Sequence, residues 1–170
     1  MIKNISYLID KYRKDIDSFK SDALKFEVEE KELSDWQQYF NGWPCAKHQG
    51  FHLEFLDDRI AMVCIPEVKP EHLGGKGEHA VNGATISGIL DCAVSVAGFM
   101  HYKGKTCGTI SSSIHMKRPL YGNYILCLGK ITKRSKNLCF GESAIFNENS
   151  VVCANNDSIV AVSSRYSDAV

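Results

Sequence analysis

Most of the chemistry open to this chain lies in one stretch, Ala80-Val81-Asn82-Gly83-Ala84-Thr85-Ile86-Ser87-Gly88-Ile89-Leu90-Asp91-Cys92-Ala93. It reads as an Asn-Gly step opening an apolar helix, with one carboxylate about two turns inside. A lone carboxylate on such a helix is costly to bury unless something pairs with it or uses it. The open helix N-terminus presents unpaired backbone N–H groups that favour negative charge. These are two parts of an acyl-transfer site: donors for an oxyanion, and a carboxylate for water activation or direct attack.

Other reactive side chains fit less well. His72 and His79 flank a glycine-bearing loop but have no carboxylate or cysteine at metal-ligand spacing, so they read as surface or loop histidines. His48 and His52 are four apart, a spacing that joins side chains on a helix, yet His52 falls in a strand pattern. No metal site is expected. The seven cysteines, Cys45, Cys64, Cys92, Cys107, Cys127, Cys139 and Cys153, are odd in number and form no CxxC pair. Most sit in apolar runs, as small buried hydrophobes do in a reducing compartment. Gly74-Gly75-Lys76-Gly77 lacks the Lys-Ser/Thr ending of a P-loop. Lys117-Arg118 and the group Lys130, Lys133, Arg134 and Lys136 are either a solvated rim or a seat for phosphates.

The elements that must position these residues follow from periodicity. Ile5, Leu8, Ile9, Tyr12, Ile16, Phe19, Ala23 and Leu24 step by three and four, which predicts one amphipathic helix over 5–26. Ser34 to Phe40 reads as a short helix with Ser34 as N-cap. Asn41-Gly42-Trp43-Pro44 then breaks the chain. Phe51, Leu53 and Phe55 alternate with polar residues, Asp57-Asp58 turns, and Ile60, Met62 and Cys64 alternate again: a hairpin. A loop from Lys69 to His79 carries Gly74, Gly75 and Gly77, which permit positive φ and close backbone approach. The helix from about Asn82 to His101 is apolar on nearly every side, hence buried. Strands are expected at Thr106–Met116, Tyr121–Thr132, Leu138–Phe146 and Val151–Ser163, with short turns that favour antiparallel neighbours. The pattern supports an α+β class in one domain.

The chain has 170 residues and a formal net charge of zero, which argues against a nucleic-acid or polybasic membrane partner. Its start shows no signal-peptide core, and no apolar run is read as membrane-spanning. A soluble cytoplasmic protein is expected.

The segment from about Phe51 to Ser164 resembles the PaaI-like (phenylacetate-pathway type) hotdog acyl-CoA thioesterases. The likeness lies in the hairpin, the glycine loop, Asn82-Gly83 with Asp91 on the helix, the strand ending Lys117-Arg118-Pro119, Gly122, and the final two strands. That family usually opens the helix with His-Gly-Gly; Asn82-Gly83-Ala84 stands there, similar to the Ala-Val-Asn-Gly of some relatives. The resemblance implies a hotdog fold, a curled antiparallel sheet wrapped around a central helix. It divides the chain into an N-terminal helical extension, 1–45, and a thioesterase domain, 46–170. It puts Asp91 at the catalytic carboxylate position, Gly83 as oxyanion donor beside Asn82, and Thr109 as the hydroxyl that holds water. Ala84, Gly75, Gly77, Lys117, Arg118 and Arg134 are the expected contacts to substrate and coenzyme A. It also implies a homodimer or homotetramer with the site at a subunit interface, and no cofactor, since coenzyme A is part of the substrate.

The spacing of Gly83 and Asp91 bears on that interface. Eight residues of helix rise roughly 12 Å, whereas reacting atoms must lie within about 3–3.5 Å. One chain's Asp91 therefore does not easily serve its own Gly83, and a two-fold-related copy brings the pair together. The expected reaction is thioester hydrolysis, with Asp91 as general base or as nucleophile. A thiol leaving group, with a pKa near ~8.5, needs little acid help. A hotdog dehydratase or hydratase, or a non-catalytic acyl-CoA-binding module, are the other readings.

Overall fold

Eighteen residues, Gly83–Met100, form the helix that organises the molecule, α5. The computed structural model describes residues 5–103 and 105–162. Before α5 come α1 (Ile5–Lys11), α2 (Arg13–Phe19), α3 (Glu30–Asn41), α4 (Pro44–Gln49), β1 (His52–Leu56) and β2 (Ile60–Ile65); after it come β3 (Cys107–Met116), β4 (Ile125–Arg134), β5 (Leu138–Phe146) and β6 (Val152–Val162). The strands form one antiparallel sheet in the order β1-β2-β4-β5-β6-β3.

Helix α5 packs against β2, β3, β4, β5 and β6. Five strands about 4.8 Å apart span roughly 19 Å, about twice the width of one helix, so the sheet must curl to touch it. This is the hotdog arrangement. By length and composition α5 could also cross a membrane, which corrects the expectation that no run reaches that length. Here the sheet covers its apolar faces.

The seat of the helix is made of glycine. A Cβ at Gly129 on β4 would lie 2.5 Å from the Ala93 carbonyl carbon and 2.9 Å from the Val94 nitrogen. A Cβ at Gly141 on β5 would meet Val94 Cγ2 and lie 2.8 Å from the Lys130 carbonyl oxygen. At Gly129 the backbones of helix and sheet therefore touch with no side chain between them, and at Gly141 the bare sheet backbone receives the Val94 side chain.

Two cores result. Ala61, Val63 and Ile65 of β2 face α5, while Ile60, Met62 and Cys64 face Leu8, Tyr12 and Ile16 on the outer side. All six residues of β2 are buried, so its alternation separates two apolar layers rather than core from solvent.

The N-terminal segment departs from the expected single helix. α1 and α2 break at Tyr12, and the helical run ends at Phe19. The chain then crosses the end of the sheet, where Leu24 N–H donates to the Ile131 carbonyl, Phe26 N–H to Asp58 and Glu27 N–H to Met100. A helix through residue 26 would leave no chain to make that crossing. α3 starts at Glu30 rather than after Ser34, with the Glu32 carboxylate accepting from Glu29 N–H at 2.9 Å. Gly42 and Trp43 break the chain as expected, but Pro44 opens α4, a helix the periodicity does not reveal. The helical segment thus runs to Gln49, and residue 45 falls inside α4. β4 starts at Ile125, later than Tyr121, because Pro119 to Tyr124 form the approach to it. Ser163 and Ser164 lie outside the described residues.

Two outcomes test this packing. Gly129→Ala forces helix and sheet apart and lowers stability by about 1–3 kcal/mol. Gly108→Ala, where a Cβ meets nothing within 4 Å, is near neutral; chemical denaturation of both reads the difference. The second concerns His101, which is 2% exposed and whose Nε2 has no partner among the described residues. Burial, aided by Arg134 and opposed by Glu27, lowers its pKa to about 4. The unfolded chain takes up that proton at about 6.5 and the folded chain does not. Stability is therefore full above the unfolded value and falls towards pH 4, by up to ~3 kcal/mol. Denaturation midpoints against pH should show that slope, and His101→Leu should flatten it.

Candidate active site

The start of α5 is held from two sides. Asn82 Oδ1 accepts from Thr85 N–H at 2.8 Å, the N-cap bond. Its Nδ2 donates to the carbonyls of Glu71 and Leu73 at 3.1 and 3.0 Å. The loop is anchored in turn by His72, which is buried rather than on the surface. His72 Nδ1 accepts from Lys69 N–H at 3.0 Å, Nε2 lies 3.1 Å from the Gln49 carbonyl, and its own carbonyl accepts from Asn82 N–H. Gly74 and Gly77 adopt φ of 107° and 73°, which L side chains rarely tolerate. Gly75 serves by close approach: a Cβ there would lie 2.6 Å from the Val81 carbonyl oxygen.

With its cap made by Asn82, the helix still has free donors. Gly83 and Ala84 are exposed, and among the described residues their N–H groups have no partner. This is the open terminus that an oxyanion requires. The Asn82 side chain is committed to the cap and the loop.

Beyond its exposed first residue, Gly83, the less buried residues of α5 fall on one stripe: Ala84, Ser87 with Gly88, Asp91 with Cys92, and Ser95. Their steps of three and four mark one face; the rest of the helix faces the sheet. The Asp91 carboxylate lies on this stripe and makes no hydrogen bond or ion pair among the described residues. One turn on, Ser95 Oγ and Thr109 Oγ1 are 2.7 Å apart. The register of β3 slips between Thr109 and Ser111, where Ile110 is bulged out and 64% exposed. The bulge leaves Thr109 facing the helix, the re-aiming that bulges provide.

Asp91, Ser95 and Thr109 line one cavity of about 620 Å³, with Trp43, Phe51 and Phe99 among its apolar walls. Cys92 and Cys107 line it too, and burial pushes both thiols up to about 12. Both are protonated at neutral pH and so are poor nucleophiles. Ser95 is the site residue that sequence reasoning missed; the available signal was its position four residues after Asp91, one turn along the same face.

Gly83 lies in a second cavity of about 290 Å³, lined also by Gly75, Lys76, Met116, Lys117 and Arg118. Ala84 faces a third depression beside Asn82 and His72. Gly77 lines neither of the first two cavities. Arg134 is drawn elsewhere: its guanidinium is 2.7 Å from the Glu27 carboxylate and donates to the His101 carbonyl at 2.9 Å. It ties the crossing segment to the end of α5, which conflicts with a free role on a phosphate. No group of three or more metal-ligating side chains gathers among the described residues.

No family model matches the chain, and no curated protein matches it in sequence. Solved structures do match in fold. A thioesterase-superfamily-related protein from Shewanella oneidensis is 18% identical with a TM-score of 0.70, over 78% of this chain and 96% of that one. The E. coli PaaI protein from the phenylacetic acid degradation operon is 18% identical with a TM-score of 0.67, over 77% and 96%. Zebrafish thioesterase superfamily member 2 is 14% identical with a TM-score of 0.66, over 77% and 98%. This chain therefore has the hotdog fold found in thioesterase-superfamily proteins, PaaI included.

Proposed function

We propose that this protein hydrolyses acyl-CoA thioesters at a site completed by two copies of the chain. The observation that carries this reading is the Asp91 carboxylate, unpaired among the described residues and set on the less buried stripe of a buried helix beside the Ser95–Thr109 hydroxyl pair. In the general-base route, water held by the hydroxyl pair gives a proton to Asp91 while its oxygen adds to the thioester carbon. The carbon–sulfur bond then breaks, and the thiolate leaves and is protonated. In the nucleophilic route the carboxylate itself adds, the carbon–sulfur bond breaks and the thiolate leaves and is protonated, and water then cleaves the resulting anhydride to the free acid and the carboxylate.

The developing oxyanion needs donors, and Gly83 lies in a different cavity from Asp91 of the same chain. A second copy that brings its Gly83 N–H to Asp91 meets the need. Strand β3 supports such a dimer, since among the described residues it pairs only with β6, and it carries Ile110 and Met116, 64% and 53% exposed. A long edge strand with exposed apolar residues is a template for pairing with another chain. The opposite edge, β1, is packed by α3.

Lys76, Lys117 and Arg118 around Gly83 suit the phosphates of coenzyme A; Arg134 is no longer in that group. The reaction so described uses no cofactor. All seven cysteines are free thiols, in keeping with a reducing compartment such as the cytoplasm. Among the described residues no histidine lines the Asp91 cavity, which leaves dehydration without its acid–base partner.

Asp91→Asn keeps the shape and removes both base and nucleophile. It should lower kcat on acyl-CoA by about 10²–10⁴-fold with an unchanged thermal melt. Thiol release measured with a chromogenic reagent checks this. Near-normal turnover in the folded variant would contradict the role of Asp91.

A further inference from the structure

The cavity beside Asp91 continues past it. It follows α5 from Gly88 to Phe99. Eight residues separate Asp91 from Phe99, so about 12 Å of trench lie beyond the carboxylate. Past Ser95 and Thr109 the trench is lined by Val96, Phe99, Cys107, Tyr39 and Trp43. Those last two come from the end of α3 and the start of α4.

The distal wall is a packed aromatic set. Trp43 and Phe99 have ring centroids 5.7 Å apart, Phe40 and Trp43 4.8 Å, and Phe40 and Phe99 5.4 Å, all edge to face. Such contacts hold rings in place. The wall is therefore fixed, and the helices before the hairpin build it.

We propose that α3 and α4 form the outer wall of an acyl channel, and that this wall makes the protein select linear medium-chain acyl thioesters over short-chain ones and over a single aromatic ring. The inference rests on the thioesterase reading of Asp91. A linear chain lies along the trench from the carbonyl to Phe99 and buries its methylenes against Val96, Trp43 and Tyr39. Each buried methylene contributes about 0.8 kcal/mol. A ring on one methylene reaches only part of the way and leaves the aromatic end unfilled.

The test separates binding from turnover. Calorimetry compares S-butyl-CoA with S-decyl-CoA, thioethers that cannot be hydrolysed, on wild type, Trp43→Ala and Tyr39→Ala. Tyr39 is 46% exposed, so its truncation preserves folding even where loss of Trp43 does not. Wild type should bind S-decyl-CoA at least about tenfold tighter. Each folded variant should lose at least about threefold of that ratio, with S-butyl-CoA binding unchanged. Kinetics then compares butanoyl-, decanoyl- and phenylacetyl-CoA, with decanoyl-CoA giving the highest kcat/KM. Equal binding of the two thioethers, a ratio untouched in the variants, or a preference for phenylacetyl-CoA would each overturn the channel. No turnover of any acyl-CoA, with the chain-length preference and its loss in the variants intact, would instead overturn the thioesterase reading and leave the channel standing.

Discussion

The contact between the backbone of α5 and the glycines of the sheet sets the rest of this structure. Gly129 lets the α5 backbone lie directly on β4 at Ala93, and Gly141 makes room on β5 for the Val94 side chain. Gly98, on the helix itself, makes room for a side chain of β6: a Cβ there would lie 2.9 Å from Val160 Cγ1. A helix drawn in so closely is covered by a curling sheet on every face but one. On that face a charge need not lose its solvation. Asp91 occupies it, with Ser95 one turn away.

The N-terminal helices belong to the same logic. A sheet curled around a helix still has an outer face, and β2 and β4 are apolar on both sides. α1 and α2 cover that outer face, with Leu8, Tyr12 and Ile16 at the contact. The chain then crosses the sheet end and is clamped there. Lys130, 5% exposed, pairs with Asp22 at 2.5 Å and Glu142 at 3.3 Å, and Arg134 pairs with Glu27. This crossing delivers α3 and α4 to the side of the cavity. One segment thus closes the outer core and lines the site.

What the sequence made legible followed from local rules. The N-cap at Asn82, the apolar run of α5, the span of β5 and the hairpin from β1 to β2 each depend on a few adjacent residues. What it hid depended on partners far along the chain. The break at Tyr12 is fixed by contacts to Tyr124 and Asn147, more than a hundred residues away. His72 reads as a loop histidine until Gln49 and Lys69 close around it. Arg134 reads as one of a basic cluster until Glu27 claims it. In the candidate site, Asp91 and Gly83 stand out by type and position. Ser95 does not, because a serine on a helix gains meaning only when Thr109 arrives from the bulge in β3.

The central claim is that one site draws Asp91 from one copy and Gly83 from another, and a mixed dimer tests it most directly. Gly83 is the first residue of α5, where proline is well tolerated and only removes an N–H, and Asn82 before it is already extended, at φ −73° and ψ 157°. Chains carrying Asp91→Asn and chains carrying Gly83→Pro are each expected to be inactive as pure dimers. In a purified heterodimer one of the two sites has both Asp91 and Gly83 intact, so thiol release should return to about half the wild-type rate per dimer. A folded heterodimer as inactive as its two parents would contradict the shared site and place the chemistry within a single chain.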